Sequence, residues 1–70
     1  MPPRYEIRVA GQLDETTAAA FAGLDVAVRG TVTVITGQLD QAALHGLLER
    51  IRSLGLELVE ARRARGPGPG

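Results

Sequence analysis

From Arg4 to Ala10 apolar and polar side chains alternate, Tyr5, Ile7 and Val9 against Glu6, Arg8 and Ala10, which is the period of a half-buried strand. Gly11 breaks the pattern, and Asp14 is placed to cap a short Ala-rich helix over about 15–22, with Leu13, Thr17 and Phe21 along one side. Gly23 suits a left-handed helix end with Leu24 folding back in a Schellman motif. Alternation resumes over 24–29, with Leu24, Val26 and Val28 on one face. An Arg29-Gly30 turn leads into a strand over 31–36, with Val32 and Val34 inward and Thr31, Thr33 and Ile35 outward. The spacing then changes: Leu44, Leu47, Leu48, Ile51 and Leu54 follow a helical period from a second cap, Asp40, to a stop at Gly55. A last strand over 56–61 carries Leu56 and Leu58 inward.

The order βαββαβ is a unit used twice, since Gly-Gln-Leu-Asp opens both helices, at 11–14 and 37–40. Two βαβ halves joined by a hairpin predict an α+β fold of the ferredoxin-like split βαβ class. That is a four-stranded antiparallel sheet in the order 4-1-3-2, with both helices on one face. The repeated tetrapeptides read as punctuation: Gly ends a strand, Leu staples the helix start and Asp caps it. Asp14 and Asp40 would repel an anion at those helix ends, so neither is a phosphate cradle.

Length and composition narrow the picture. Residues 4–62 form the single domain, 1–3 read as a frayed start, and 63–70, rich in Arg, Gly and Pro, as a disordered tail. A domain of roughly sixty residues buries only about 60% of its unfolded surface and gains from self-association. There is no Cys to supply disulfides or thiolate ligands. No apolar run approaches the ~18 residues of a membrane span or forms a signal core, so a cytoplasmic setting is expected and no membrane partner. Eight Arg balance eight acids, so no field draws in nucleic acid. The expected third strand also lacks the aromatics on which RNA bases stack.

The chemistry that remains sits on the second helix. His45, the lone His, lacks a second His or Cys to complete a metal site; no metal or other cofactor is expected. Gly46 costs about 1 kcal/mol in mid-helix and lies in a small-residue seam with Ala42, Glu49 and Ser53, which invites another backbone to approach, either the first helix or a second copy. Ala42, His45, Gly46, Glu49 and Arg52 are therefore the interaction candidates, and no catalytic residue is assigned. An open sheet face with a small, moderately apolar middle, including Ala10, Ala27, Thr33, Ile35 and Ala61, permits face-to-face or edge pairing into a homo-oligomer.

The run Asp40-Gln41-Ala42-Ala43-Leu44-His45-Gly46-Leu47-Leu48, continued by Arg50-Ile51-Arg52 and Leu54-Gly55-Leu56, resembles a recurring signature of short, uncharacterised bacterial proteins. Tyr5-Glu6-Ile7-Arg8-Val9 resembles their first strand. The resemblance implies no activity and no site residue. In fold the pattern is also similar to ACT-type regulatory modules and dimeric α+β barrel proteins. The leading reading is a non-enzymatic, oligomeric interaction or ligand-sensing module working through its open sheet or the helix-two seam. The alternative is a small tautomerase- or isomerase-like enzyme with an interface site built from Pro2, His45 and an Arg of another chain.

Overall fold

A computed structural model describes residues 2–64. The elements are β1 (Arg4–Ala10), α1 (Glu15–Ala18) running into a 3-10 turn (Ala19–Phe21), β2 (Asp25–Arg29), β3 (Val32–Gln38), α2 (Gln41–Ser53) and β4 (Leu58–Ala64). The fold is α+β, with one antiparallel sheet in the order β2-β3-β1-β4 and two helices. β1 and β2 therefore run parallel with β3 between them, and β3 and β4 run parallel with β1 between them. Each helix links a parallel pair split by a third strand.

Pairing assigns the faces. Ile7 faces Ile35 on one side and Ala61 on the other, while Val9 faces Thr33 and Ile35 faces Val26. Side chains directly opposite in an antiparallel pair share a face. Ile7, Val9 and Ile35 join Phe21, Leu39, Leu47 and Ile51 in one buried cluster, so both helical segments pack on that side.

This reverses the expected phase of β3. Thr33 and Ile35 are fully buried on the helix side, whereas Val32 and Val34 point to the open face. The reason is the turn. Arg29 pairs with Val32, so the loop is Gly30-Thr31 and not Arg29-Gly30. Gly30 has φ +64° and, among the described residues, no non-Gly residue has positive φ, the pattern of a type II′ hairpin turn. A one-residue change in where the strand begins moves every side chain to the other face.

The buried Thr33 hydroxyl is hydrogen-bonded. It donates to the Gly11 carbonyl at 2.7 Å and accepts from the Leu13 N–H at 3.3 Å, while Gly11 N–H donates to the Thr31 carbonyl at 2.7 Å. The Gln12 amide adds a bond to the Gly30 carbonyl at 3.0 Å. The connection from β1 to α1 is thus clipped to the β2–β3 hairpin, and Leu13 and Asp14 are held where a helix must start.

Both Asp caps form. Asp14 Oδ1 accepts from Thr17 N–H and Asp40 Oδ1 from Ala43 N–H, each at 2.7 Å. The helix ends differ from expectation. After α1 the Leu24 N–H reaches the Phe21 carbonyl at 3.1 Å, closing a turn, and the chain leaves after one 3-10 turn. The Schellman motif is at the end of α2 instead: Leu56 N–H donates to the Ile51 carbonyl at 3.1 Å and Gly55 N–H to the Arg52 carbonyl at 3.0 Å, with Gly55 at φ +73°. Leu54, expected in the apolar stripe, caps the helix and is 45% exposed.

Gly37 is needed for space. A Cβ there would overlap the Leu24 side chain, which packs against the core cluster. Residues near both chain ends are bonded to the sheet and its connections. Pro3 is tied down by a bond from Leu39 N–H to its carbonyl at 2.9 Å. β4 takes in Arg63 and Ala64 by pairing them with Tyr5 and Arg4, and its register shifts where Val59 bulges. Residues 65–70 of the expected tail lie outside the described residues.

Replacing Thr33 by Val keeps the shape but leaves the Gly11 carbonyl and Leu13 N–H without their partner. The expected loss is about 1–3 kcal/mol of unfolding free energy, read by urea titration. Thr33→Ser is expected to retain most of it. Equal stability of Thr33→Val and the parent would show that the clip contributes nothing.

Candidate functional site

α2 positions most of the candidate residues. Leu47 and Ile51 turn into the core with Leu44 and Leu48 partly covered, which leaves Ala42, His45, Gly46, Glu49 and Arg52 all exposed on the outer side. They do not form one site. Gly46 borders a cleft on one flank of the helix, Glu49 and Arg52 border a trough on the other, and Ala42 and His45 line neither. A Cβ at Gly46 would meet nothing within 4 Å, so the glycine is not there to admit the first helix. The first helix, four residues long, does not close on this seam at Gly46.

The cleft lies between α2 and the Ala19–Phe21 turn. It measures about 310 Å³ and is lined by Ala20, Phe21, Ala22, Leu24, Leu39, Ala43, Gly46, Leu47 and Arg50. Its walls are apolar or backbone, and its one ionisable lining group is Arg50. That guanidinium spans the gap, donating from Nη1 to the Ala20 carbonyl at 2.6 Å. The bond satisfies a carbonyl that the abrupt end of the first helix would leave open. Neither Arg50 nor Phe21 stands out in sequence as a cleft residue; the three-residue spacing from Leu47 to Arg50 is the only hint.

The trough on the other flank, about 440 Å³, is lined by Leu48, Glu49, Ile51, Arg52, Gly55, Leu56 and Leu58. Leu58 of this lining is 45% exposed, and Val59 after it in the chain 53%.

The open sheet face is charged where a small apolar middle was expected. Thr33, Ile35 and Ala61 belong to the helix side by register, and the central positions hold Glu6, Arg8, Glu60 and Arg62. Glu6 Oε2 lies 3.1 Å from Arg8 Nη2 and 3.1 Å from Arg62 Nη2, and Arg8 Nε is 3.9 Å from Glu60 Oε1. Arg4 meets Asp25 at 3.5 Å. Val34, opposite Arg8 and Ala27, is only 9% exposed, since long side-chain stems shield the apolar floor. Alternating charge already paired within one sheet gives little reason for two faces to stack.

Partial burial by itself would raise the Glu6 pKa. The hydrogen bond from Arg8, the charges of Arg62 and Arg8 and the hydrogen bond from Arg62 together outweigh it and hold the carboxyl below its ordinary range. Among the described residues no three His, Asp or Glu side chains are grouped to hold a metal ion. No helix of the described chain is long and apolar enough to cross a membrane.

Residues 4–62 match the model of a family described as a domain of unknown function, DUF8691. The chain belongs to that family. No curated protein and no solved structure matches it. The matched span takes in β1 through the middle of β4, so it contains both flanks of α2 and the Glu6–Arg62 contact. The structure of this DUF8691 domain therefore rests on its own geometry.

The Glu6 cluster gives a signed pH dependence. A carboxyl whose folded pKa is depressed contributes stability above its unfolded pKa, and that contribution fades as pH falls through the folded value. Acidification below the ordinary carboxylate value of 4.5 is therefore expected to destabilise the parent chain more than Glu6→Gln. Thermal melts of both chains across the acid range check this. Parallel curves would mean that the cluster is solvated and inert.

Proposed function

We propose that this chain is a non-catalytic, self-associating binding module on a ferredoxin-like frame, whose ligand surface is the cleft between the Ala19–Phe21 turn and α2. The strand order read from the β4 edge, β4-β1-β3-β2, and the two split βαβ halves support the ferredoxin-like assignment. Of the two surfaces suggested by the sequence, the flank of α2 carries the reading further than the sheet, whose central charges are engaged with one another.

The observation that carries the proposal is Gly46. A glycine inside a 13-residue helix is unfavourable by about 1 kcal/mol against alanine, and no neighbouring atom in the chain needs the space. It stands on the rim of an apolar cleft whose volume falls in the low range of small-ligand pockets. A module that keeps the mouth of such a cleft clear at a cost in helix stability gains from something outside entering it. Apolar walls with one guanidinium fit a small amphipathic molecule or an apolar side chain of a peptide. They supply no nucleophile and no base. Homo-oligomerisation belongs to the same reading, because a core of this size gains from a second copy.

Gly46→Ala is expected to stabilise the free chain by about 0.5–1 kcal/mol, since the added methyl meets open space. Gly46→Leu, which projects into the mouth, is expected to keep the fold and abolish cleft occupancy. Occupancy is read in an NMR fragment screen as amide shifts confined to Leu24, Leu39 and Leu47. A screen giving no shifts there in the parent, or the same shifts in Gly46→Leu, would sink the proposal.

A further inference from the structure

We infer that two copies of this chain join edge to edge through β4, across a two-fold axis that sets Ala61 of one opposite Ala61 of the other, to make one continuous eight-stranded sheet. The inference rests on the self-association proposed above and names its surface.

β4 is an outer strand of the sheet, so one row of its backbone groups has no strand partner among the described residues. Every residue of it except Ala64 is exposed, including those on the helix side. Ala61 shares a face with Ile7, yet Ile7 is fully buried and Ala61 is not, because the helix layer stops short of this strand. The apolar trough formed by Leu48, Ile51, Leu56 and Leu58 runs alongside. β2, the other edge, has five residues against seven, and its Asp25 already meets Arg4.

The charges on β4 select the register. A two-fold axis normal to the sheet keeps each residue on its own face, and residues directly opposite in an antiparallel pair share a face. The centre of the pairing is therefore one residue facing its own copy across the axis, never the peptide between two residues. In the regular stretch past the bulge the choices are Glu60, Ala61, Arg62 and Arg63, because centring on Ala64, the last residue of the strand, would pair only that residue with its copy within β4. Three of these put a side chain opposite its own like charge, which is destabilising. Centring on Ala61 instead sets Glu60 of each copy opposite Arg62 of the other, with two small methyl groups on the axis. Glu60 and Arg62 are half exposed, at 50% and 57%, so each has room to meet its opposite on the second copy while it keeps its contact with Arg8 or Glu6. The pairing is isologous and closes at two copies, with the helices of both on the same side of the sheet.

The test exploits the symmetry. The full-length parent chain is expected to be a dimer at micromolar concentration by light scattering after size exclusion. Glu60→Arg places a guanidinium opposite Arg62 of the second copy, and Arg62→Glu places a carboxylate opposite Glu60, so each variant alone is expected to dissociate at least about tenfold more readily. Mixed in equal amounts, the two restore opposite charges at both contacts and are expected to form a heterodimer, seen by native mass spectrometry. Any strain that the substitutions cause with Arg8 or Glu6 inside a chain is the same alone and mixed, so the mixture is its own control. As a second measurement that leaves these charges intact, Ala61→Cys gives a chain with one thiol beside its own copy. A short bis-maleimide is expected to trap it as a covalent dimer, and not to trap Thr16→Cys on α1.

A monomeric parent overturns both the inference and the self-association on which it rests. A dimeric parent whose charge variants stay dimeric alone, or fail to re-pair when mixed, overturns the β4 register and leaves self-association standing through another surface. Failure to trap Ala61→Cys overturns the register as well.

Discussion

The two-residue turn at Gly30-Thr31 decides which face of β3 the helices see. Because Arg29 is paired directly with Val32, Thr33 and Ile35 lie under the helices and Val34 lies on the open face. Thr33 then brings a hydroxyl into the buried layer, where it needs partners, and it finds them in the Gly11 carbonyl and the Leu13 amide. That contact binds the first crossover to the hairpin and places the Asp14 cap. Moved by one residue, β3 would bury Val32 and Val34, leave the crossover without its clip and expose Ile35 to water.

The repeated tetrapeptides work within this frame, but unequally. Their aspartates do the same job, each accepting from the amide three residues on. Their glycines do not. Gly11 contributes its backbone to the Thr33 and Thr31 contacts, whereas Gly37 makes room for the Leu24 side chain. Their helices differ most: four α-helical residues and a 3-10 turn against thirteen residues of α-helix. A repeat in sequence thus gives a repeat in topology without a repeat in packing.

Element order, both caps and the anchoring role of Phe21 were legible because each rests on a local rule: a periodicity, a capping side chain, one large apolar residue. The phase of β3 was not legible. Its alternating Thr and Val offer two faces of similar character, and only Ile35 distinguishes them. The open face was misread partly for the same reason, which exchanged Ile35 for Val34, and partly because the bulge at Val59 turns Ala61 to the helix side and sets Arg62 opposite Glu6. The cleft was out of reach because it depends on where the first helix stops, and an Ala-rich run ending in Ala22-Gly23 continues as helix or turns with little difference in propensity. His45, Glu49 and Arg52 drew attention as polar residues on a helix; helical spacing shows that they are exposed, but not which flank each one borders.

The shortness of α1 links the two surfaces that the proposals use. A first helix as long as the second would lie along α2, fill the cleft beside Gly46 and leave no role for the Arg50 bridge to Ala20. With α1 curtailed, α2 becomes the main cover for a core supplied chiefly by β1 and β3, through Ile7, Val9 and Ile35. β4 is then left bare on its helix side as well as along its edge. A small domain that leaves apolar surface on both flanks of its main helix has little stability in reserve, because each uncovered leucine withholds part of the ~1.5–3 kcal/mol that full burial supplies. Covering the β4 flank with a second copy would recover some of that stability while leaving the Gly46 cleft on the opposite flank open, so the proposed self-association and ligand binding would not compete for the same surface.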